Sequence, residues 1–229
     1  MSKIELFMTA KIFAVCAALF LGVVFPSVSW AGPAPPLEEV IESLQKIYEK
    51  TQDFQAGFIQ ETTVKSIRKT DTEEGTVCFK NPRQMLWDYK KPKVKKLIIN
   101  AQKAWLYLPS DKTVYVQESN RIFKSEALIK FLSGLGKLHH DFTIQYASPA
   151  VDSDGNYLLL LYPREKGASY SYLKMTIAKD NFYILQVGFD DVMGNSTLLK
   201  FSDIKMNRGL SSKRFQFKPP PGVSIFKMP

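Results

Sequence analysis

The amino-acid sequence predicts a mainly β domain: an antiparallel meander, a barrel or a strongly curled sheet. Three observations carry this. Short alternating apolar–polar segments recur at regular spacing, turn-forming residues separate them, and no linker or composition break divides the chain. The 229 residues allow one domain or two small ones. With 45% hydrophobic and 23% charged residues, the chain is neither a disordered tail nor a coiled coil.

Ahead of the domain lies an address. Lys3 and Lys11 precede an apolar run of 14 residues from Ile12 to Phe25, too short to span a hydrocarbon core of about 30 Å as a helix. Ser29-Trp30-Ala31 then sets small residues where a signal peptidase needs them, before Gly32. Residues 1–31 are therefore expected to be a secretory signal peptide cleaved after Ala31, leaving one domain over residues 32–229. Cys16 sits inside the apolar run behind Val15, the wrong place for a lipidated Cys. The mature chain keeps a single thiol, Cys78, which between Val77 and Phe79 reads as buried and inert. Stability must come from packing. The formal charge of +9 becomes +8 once Lys3, Glu5 and Lys11 leave, a balance that suits acidic or anionic partners. The secretory leader disfavours nucleic acid.

The elements follow in order. After the stiff lead-in Gly32 to Pro36, the residues Leu37, Val40, Ile41, Leu44, Ile47 and Tyr48 form one face of an amphipathic helix ending near Thr51. Beyond Asp53 the period becomes two, with Phe54, Ala56, Phe58 and Gln60 on one face of a strand. Strand-like segments come next at 76–80, 84–89, 96–99, 104–108 and 113–117. After an interruption they resume at 142–146, 157–162, 170–178, 183–189, 196–204 and 214–217. Asn81-Pro82, Pro109-Ser110-Asp111, Asp154-Gly155-Asn156, Asp180-Asn181 and Gly194-Asn195 mark turns between them. In the interruption, Ser125 is an N-cap, Leu128, Phe131, Leu132 and Leu135 line a helix face, and Gly134 and Gly136 end it. A short helix inserted in a meander can cover a sheet face or a barrel mouth.

Chemistry is sparse. His139-His140 is a poor bidentate pair and reads as a solvated loop. Asp152-Ser153-Asp154-Gly155-Asn156 faintly suggests a calcium loop, but Pro163 stands where its closing glutamate belongs, so it is a hairpin turn. Gly134-Leu135-Gly136 lacks the context of a phosphate loop, and no nucleophile elbow occurs. No enzyme, metal or cofactor is expected. Five lysines, Lys90, Lys91, Lys93, Lys95 and Lys96, surround Pro92 as a solvated hairpin end or as an electrostatic contact. The 29 aromatic residues, 13% of the chain, are the excess to explain. Met85, Trp87 and Tyr89 alternate on one strand face, and Trp105 and Tyr107 on another. They are core, or the lining of a pocket for a long apolar ligand.

Four segments resemble the LolA family of periplasmic outer-membrane lipoprotein carriers. These are Phe54-Gln55-Ala56-Gly57-Phe58-Ile59-Gln60, then Lys80-Asn81-Pro82 running through Trp87-Asp88-Tyr89 to Pro92, then Trp105-Leu106-Tyr107-Leu108-Pro109, and finally Phe215 to Val223. The resemblance implies an incomplete, half-open antiparallel β-barrel of about eleven strands with helices over the concave face. It implies a monomer without cofactor that receives acylated lipoproteins from an inner-membrane ABC-type release complex. Delivery would be to the outer membrane, by way of an outer-membrane receptor where one exists. Met85 and Trp87 fall at cavity-wall positions, and Leu128, Phe131 and Leu132 in the lid helix. Phe58, Tyr89, Trp105 and Tyr107 join the acyl-chain wall by alternation.

Two departures stand out. Many relatives carry Arg where this chain has Asn81, so the latch that holds the lid shut is Asn81 or moves to Arg83. The relatives' Asp-Gly hairpin is Asn100-Ala101 here. Two other classes fit the same residues. One is an envelope sensor or regulatory lipid-binding domain on this fold. The other is the receptor relative, which needs a lipidated N-terminal Cys.

Overall fold

The computed structural model describes residues 34–120, 137–165, 168 and 170–228. Helix α1 (Leu37–Lys50) starts behind Pro36, with Glu38 and Glu39 in its first turn and Lys50 in its last, each on the favourable end of the helix dipole. It buries Val40, Ile41, Leu44 and Tyr48, the stripe that the spacing predicts. The Ile184 amide donates to the Tyr48 hydroxyl at 3.1 Å, which ties the helix to the sheet.

Twelve strands follow: β1 (Asp53–Val64), β2 (Lys69–Lys80), β3 (Gln84–Lys91), β4 (Lys95–Ile99), β5 (Lys103–Leu108), β6 (Thr113–Glu118), β7 (Phe142–Val151), β8 (Tyr157–Pro163), β9 (Tyr170–Ile177), β10 (Ile184–Asp191), β11 (Ser196–Met206) and β12 (Ser224–Lys227). They form one sheet in the order β12-β6-β5-β4-β3-β2-β1-β11-β10-β9-β8-β7. The two end strands do not pair, so the sheet is open and no barrel closes. All neighbours are antiparallel except β12, which joins β6 in parallel.

Three boundaries differ from expectation. Strand β2 begins at Lys69 rather than Thr76, because its polar first half pairs residue by residue with the outer half of β1 and has no apolar alternation to betray it. The expected strand at 214–217 is a 3₁₀ turn, Ser212–Phe215, and the last strand lies further on at β12. The histidine pair is solvent-exposed, as expected, but lies in a helical turn, Leu138–Asp141, rather than a loop; His139 meets Glu38 of α1 at 2.9 Å.

Register assigns the faces. Phe54, Ala56 and Phe58 of β1 stand opposite Phe79, Val77 and Gly75 of β2, and these opposite Met85, Trp87 and Tyr89 of β3. Directly paired residues share a face. The main core lies there, joined with the buried stripe of α1 and with Leu159, Leu161, Leu173 and Met175. The opposite face has its own smaller core. Cys78, Ile98 and Val114 are buried on it, and the C-terminal segment lays the fully buried Phe215 over that side. Arg214 fastens this segment by a 2.9 Å hydrogen bond to Gln55.

The Asn100-Ala101 hairpin closes without glycine. The Asn100 side-chain oxygen accepts from the Gln102 and Lys103 amides at 2.9 and 3.0 Å, which holds the turn by an Asx bond.

Candidate functional site

The aromatic wall on the α1 face is the most distinctive cluster. Phe58 meets Trp87 edge to face at 4.9 Å and Tyr89 at 5.0 Å. Trp87 and Tyr89 lie at 6.4 Å with nearly parallel rings. The Trp87 indole N–H points at the Met85 sulfur, 3.1 Å away. Phe54, Phe79 and Phe201 extend the wall, with Phe201 6.4 Å from Trp87. Of the residues predicted for the wall, Phe58, Met85, Trp87 and Tyr89 are therefore brought together. Phe54, Phe79 and Phe201 were not predicted, although Phe54 shares the alternation that selected Phe58.

Trp105 and Tyr107 are placed elsewhere. Leu97 and Ile99 of β4 face the wall; Trp105 pairs with Ile98 and Tyr107 with Lys96, the residues of the other face. Their rings pack on Phe217, at 6.0 and 5.4 Å. Alternation shows that the two share a face, and the register of β4 makes it the face opposite Trp87. Leu128, Phe131 and Leu132 lie outside the described residues.

A polar rim bounds the wall where β1 to β4 run on past it. The Tyr89 hydroxyl donates to Gln60 at 3.1 Å, and Lys95 stands 4.2 Å above the Tyr89 ring while pairing with Glu73 at 2.7 Å. Burial, and then the charge of Glu73, push the Tyr89 phenol up to about 12. The rim thus holds a neutral phenol and a neutralised ion pair, which leaves the wall itself without charge.

Asn81 and Arg83 both lie in the turn between β2 and β3, so regular strand alternation does not relate them. The Asn81 side-chain amide donates to the Thr51 carbonyl, and its backbone amide to the Gln52 carbonyl at 2.8 Å. Asn81 thereby ties the strand turn to the end of α1. Arg83 is exposed and takes a positive φ of 57°.

The lysine cluster is largely neutralised. Lys90 and Lys96 flank Asp88, Lys91 pairs with Glu74 and Lys95 with Glu73. Among the described residues, no group of three His, Cys, Asp or Glu is placed to hold a metal ion. What the site offers is a polarisable, uncharged apolar lining. Aromatic rings and a thioether accept hydrocarbon of many shapes, and they supply no nucleophile or base.

The LolA family profile, described as outer membrane lipoprotein carrier protein LolA, matches residues 49–218. An outer-membrane lipoprotein carrier protein of Pseudomonas aeruginosa is 30% identical over 189 residues, covering 82% of this chain and 87% of that one. The protein of the same description from Methylobacillus flagellatus is 24% identical over 206 residues, 90% and 98% of the two chains. Among solved structures, an uncharacterized conserved protein from Thermus thermophilus superposes with a TM-score of 0.53 at 14% identity, over 83% of this chain and 98% of that one. That likeness speaks for the fold alone.

Proposed function

Because the chain belongs to the LolA family of outer-membrane lipoprotein carriers, we propose that it is a periplasmic carrier of acylated lipoproteins, working by binding and release without catalysis. The single observation that carries this reading is the wall of Phe58, Met85, Trp87 and Tyr89, gathered on one sheet face and free of charge. In this reading residues 1–31 are the cleaved signal peptide and residues 32–229 the carrier domain, acting as a monomer. Cargo comes from an inner-membrane ABC-type release complex and goes to the outer membrane, by way of a receptor where the cell has one. Leu128, Phe131 and Leu132 are proposed as its lid, with Asn81 or Arg83 as the latch.

The energetics suit a shuttle. Each methylene taken out of water is worth ~0.8 kcal/mol, so one long acyl chain resists water by on the order of 10 kcal/mol. A lipoprotein therefore crosses an aqueous space only inside a shield. Phe58, Met85 and Trp87 are already buried in this structure and Tyr89 is partly so, so an incoming chain exchanges one apolar covering for another. That exchange is close to balanced, and it lets the carrier release what it took up. A pocket open to water would bind the chain more tightly and hold it.

Tryptophan quenching tests the reading. After removal of the leader, Trp87 and Trp105 are the two tryptophans of the chain, and they lie on opposite faces. A fatty acyl chain carrying bromine should quench Trp87 emission, so Trp87→Phe abolishes the quenching and Trp105→Phe preserves it. Quenching that resides in Trp105, or none at all, would count against the wall.

A further inference from the structure

We propose that the hairpin tips at one end of the sheet form a docking edge for an anionic phospholipid bilayer. This goes beyond the carrier reading and does not depend on it. Two hairpin turns of the sheet share one build. Asp152 takes the Asp154 and Asn156 amides on one carboxylate oxygen, at 2.9 and 2.8 Å, and the Asn156 side chain on the other at 3.0 Å. Asp191 does the same with Met193, Asn195 and the Asn195 side chain, at 2.8, 2.9 and 2.8 Å. Gly155 and Gly194 take matching φ values of 84° and 79°.

The tips of the two turns differ in chemistry. The first presents Ser153 and Asp154; the second presents Val192 and Met193, 84% and 78% exposed. The polar pair shows that this turn closes without apolar side chains, so Val192 and Met193 are not there to make it. An exposed Val-Met pair costs solubility and contributes nothing to the fold.

A neighbouring tip adds to it. Thr63 of β1 pairs with Ser196 of β11, which sets the β1–β2 tip beside the β10–β11 tip. The Lys65 amide donates to Asn195 at 3.1 Å, and the Lys65 side chain lies over Gly194. Ile67, 65% exposed, stands on this second tip. The β3–β4 hairpin turns at the same end of the sheet and exposes Val94.

Charge selects the occupant. Around these three tips Asp71 is paired with Lys69, Glu73 with Lys95 and Glu74 with Lys91, while Asp190 accepts from the Ser196 hydroxyl. Asp191 is taken up by the amides of its own turn. Lys65, Arg68 and Lys93 have no carboxylate partner among the described residues. Hydrogen bonds do not cancel the charges of Asp190 and Asp191, so Lys65, Arg68 and Lys93 stand against two carboxylates, and the balance beside the apolar tips is positive. Separate protruding tips are a poor platform for a protein partner, since a stable protein interface takes about 800 Å² from each side. A bilayer interface accepts a few isolated side chains and rewards adjacent cations.

Flotation with vesicles tests this, using protein purified from the periplasm. Phosphatidylethanolamine vesicles containing phosphatidylglycerol should carry the wild type, and phosphatidylcholine vesicles should not. Val192→Ser with Met193→Asp copies the polar turn, so it should leave the melting temperature unchanged while weakening vesicle binding by at least about tenfold. Lys65→Gln with Arg68→Gln should weaken binding and flatten its salt dependence. Quenching of Trp87 by brominated acyl chain should be untouched in both variants, which separates this proposal from the carrier reading. Wild-type protein that fails to float, binds phosphatidylcholine equally, or is matched by the turn variant would overturn it. Capture of an acidic protein at these tips without any vesicle binding would overturn it too.

Discussion

Phe58 and Trp87 meet edge to face at 4.9 Å, although the strands that carry them are separated by β2. Gly75 makes room. It is the direct partner of Phe58 on one side and of Tyr89 on the other, and those two rings close over it at 5.0 Å. A Cβ at this glycine would lie 2.3 Å from the Asp88 carbonyl oxygen and 2.9 Å from the Phe58 ring. The wall is continuous because one residue of the strand beneath it has no side chain.

Gly75→Ala therefore forces the backbone of β3 and the ring of Phe58 apart. The expected loss of stability is about 3 kcal/mol, the upper part of the range for overpacking. Urea unfolding measures it, and near-ultraviolet circular dichroism should show a weaker aromatic signal. An unchanged midpoint would mean that the wall does not need this close approach.

Tyr89 should titrate far from the usual phenol range. Burial comes first and the Glu73 charge second, and together they push its phenol up to about 12. A raised value means that Tyr89 favours the folded state below the ordinary phenol range, and the contribution is lost as pH rises through the folded value. Glu73→Gln removes one cause and leaves Lys95 unopposed above the ring, so the Tyr89 midpoint should fall. Absorbance titration near 295 nm follows the phenolate. A midpoint that stays or rises in the variant would contradict the rim geometry.

The twin turns predict the acid limb of stability. Amide donors from Asn195, Met193 and Gly194 hold the Asp191 carboxyl below its ordinary value. For Asp152, burial works upward, but the donors of Asn156, Asp154 and Gly155 outweigh it and the net direction is down. Carboxylates lowered by folding stabilise it above their unfolded value, near 3.8, and that support is lost as pH falls through the folded values. Melting temperature measured from neutral pH downward should drop below that point in the wild type. Asp152→Asn with Asp191→Asn should flatten the drop; an identical acid limb in the variant would refute the assignment.

Much of this was legible in the sequence, and the failures have physical reasons. Period-two alternation identified Met85, Trp87 and Tyr89 as one face because β3 is covered on that face and polar or half-buried on the other. The same alternation could not say which way Trp105 and Tyr107 point. Both Ile98 and Ile99 of β4 are buried, because the C-terminal segment builds a second core on the far side. The spacing of Phe215 and Phe217 imitates a strand, yet the segment covers the far face as a 3₁₀ turn followed by irregular chain. The outer half of the β1–β2 hairpin is polar on both faces, so pairing alone defines it.

Asp53 should prove structural rather than functional. Its buried carboxylate accepts from the Arg208, Gly209 and Leu210 amides at 2.8, 2.9 and 3.1 Å, and its carbonyl from the Asn207 amide at 2.8 Å. Asp53→Ala strands three amides at the end of β11 and should cost about 3 kcal/mol or more. Hydrogen exchange should quicken at residues 207–210 while quenching of Trp87 by brominated acyl chain is retained at low temperature. Loss of quenching in a folded variant would contradict this division of roles.

Whether this chain holds acyl chains of lipoproteins on the wall around Trp87 is read most directly by native mass spectrometry of protein purified from its own periplasm. The expected spectrum holds a chain beginning at Gly32, accompanied by a population heavier by the mass of one acylated lipoprotein that gentle activation releases. Finding the bare chain alone, from cells actively releasing lipoproteins, would contradict it.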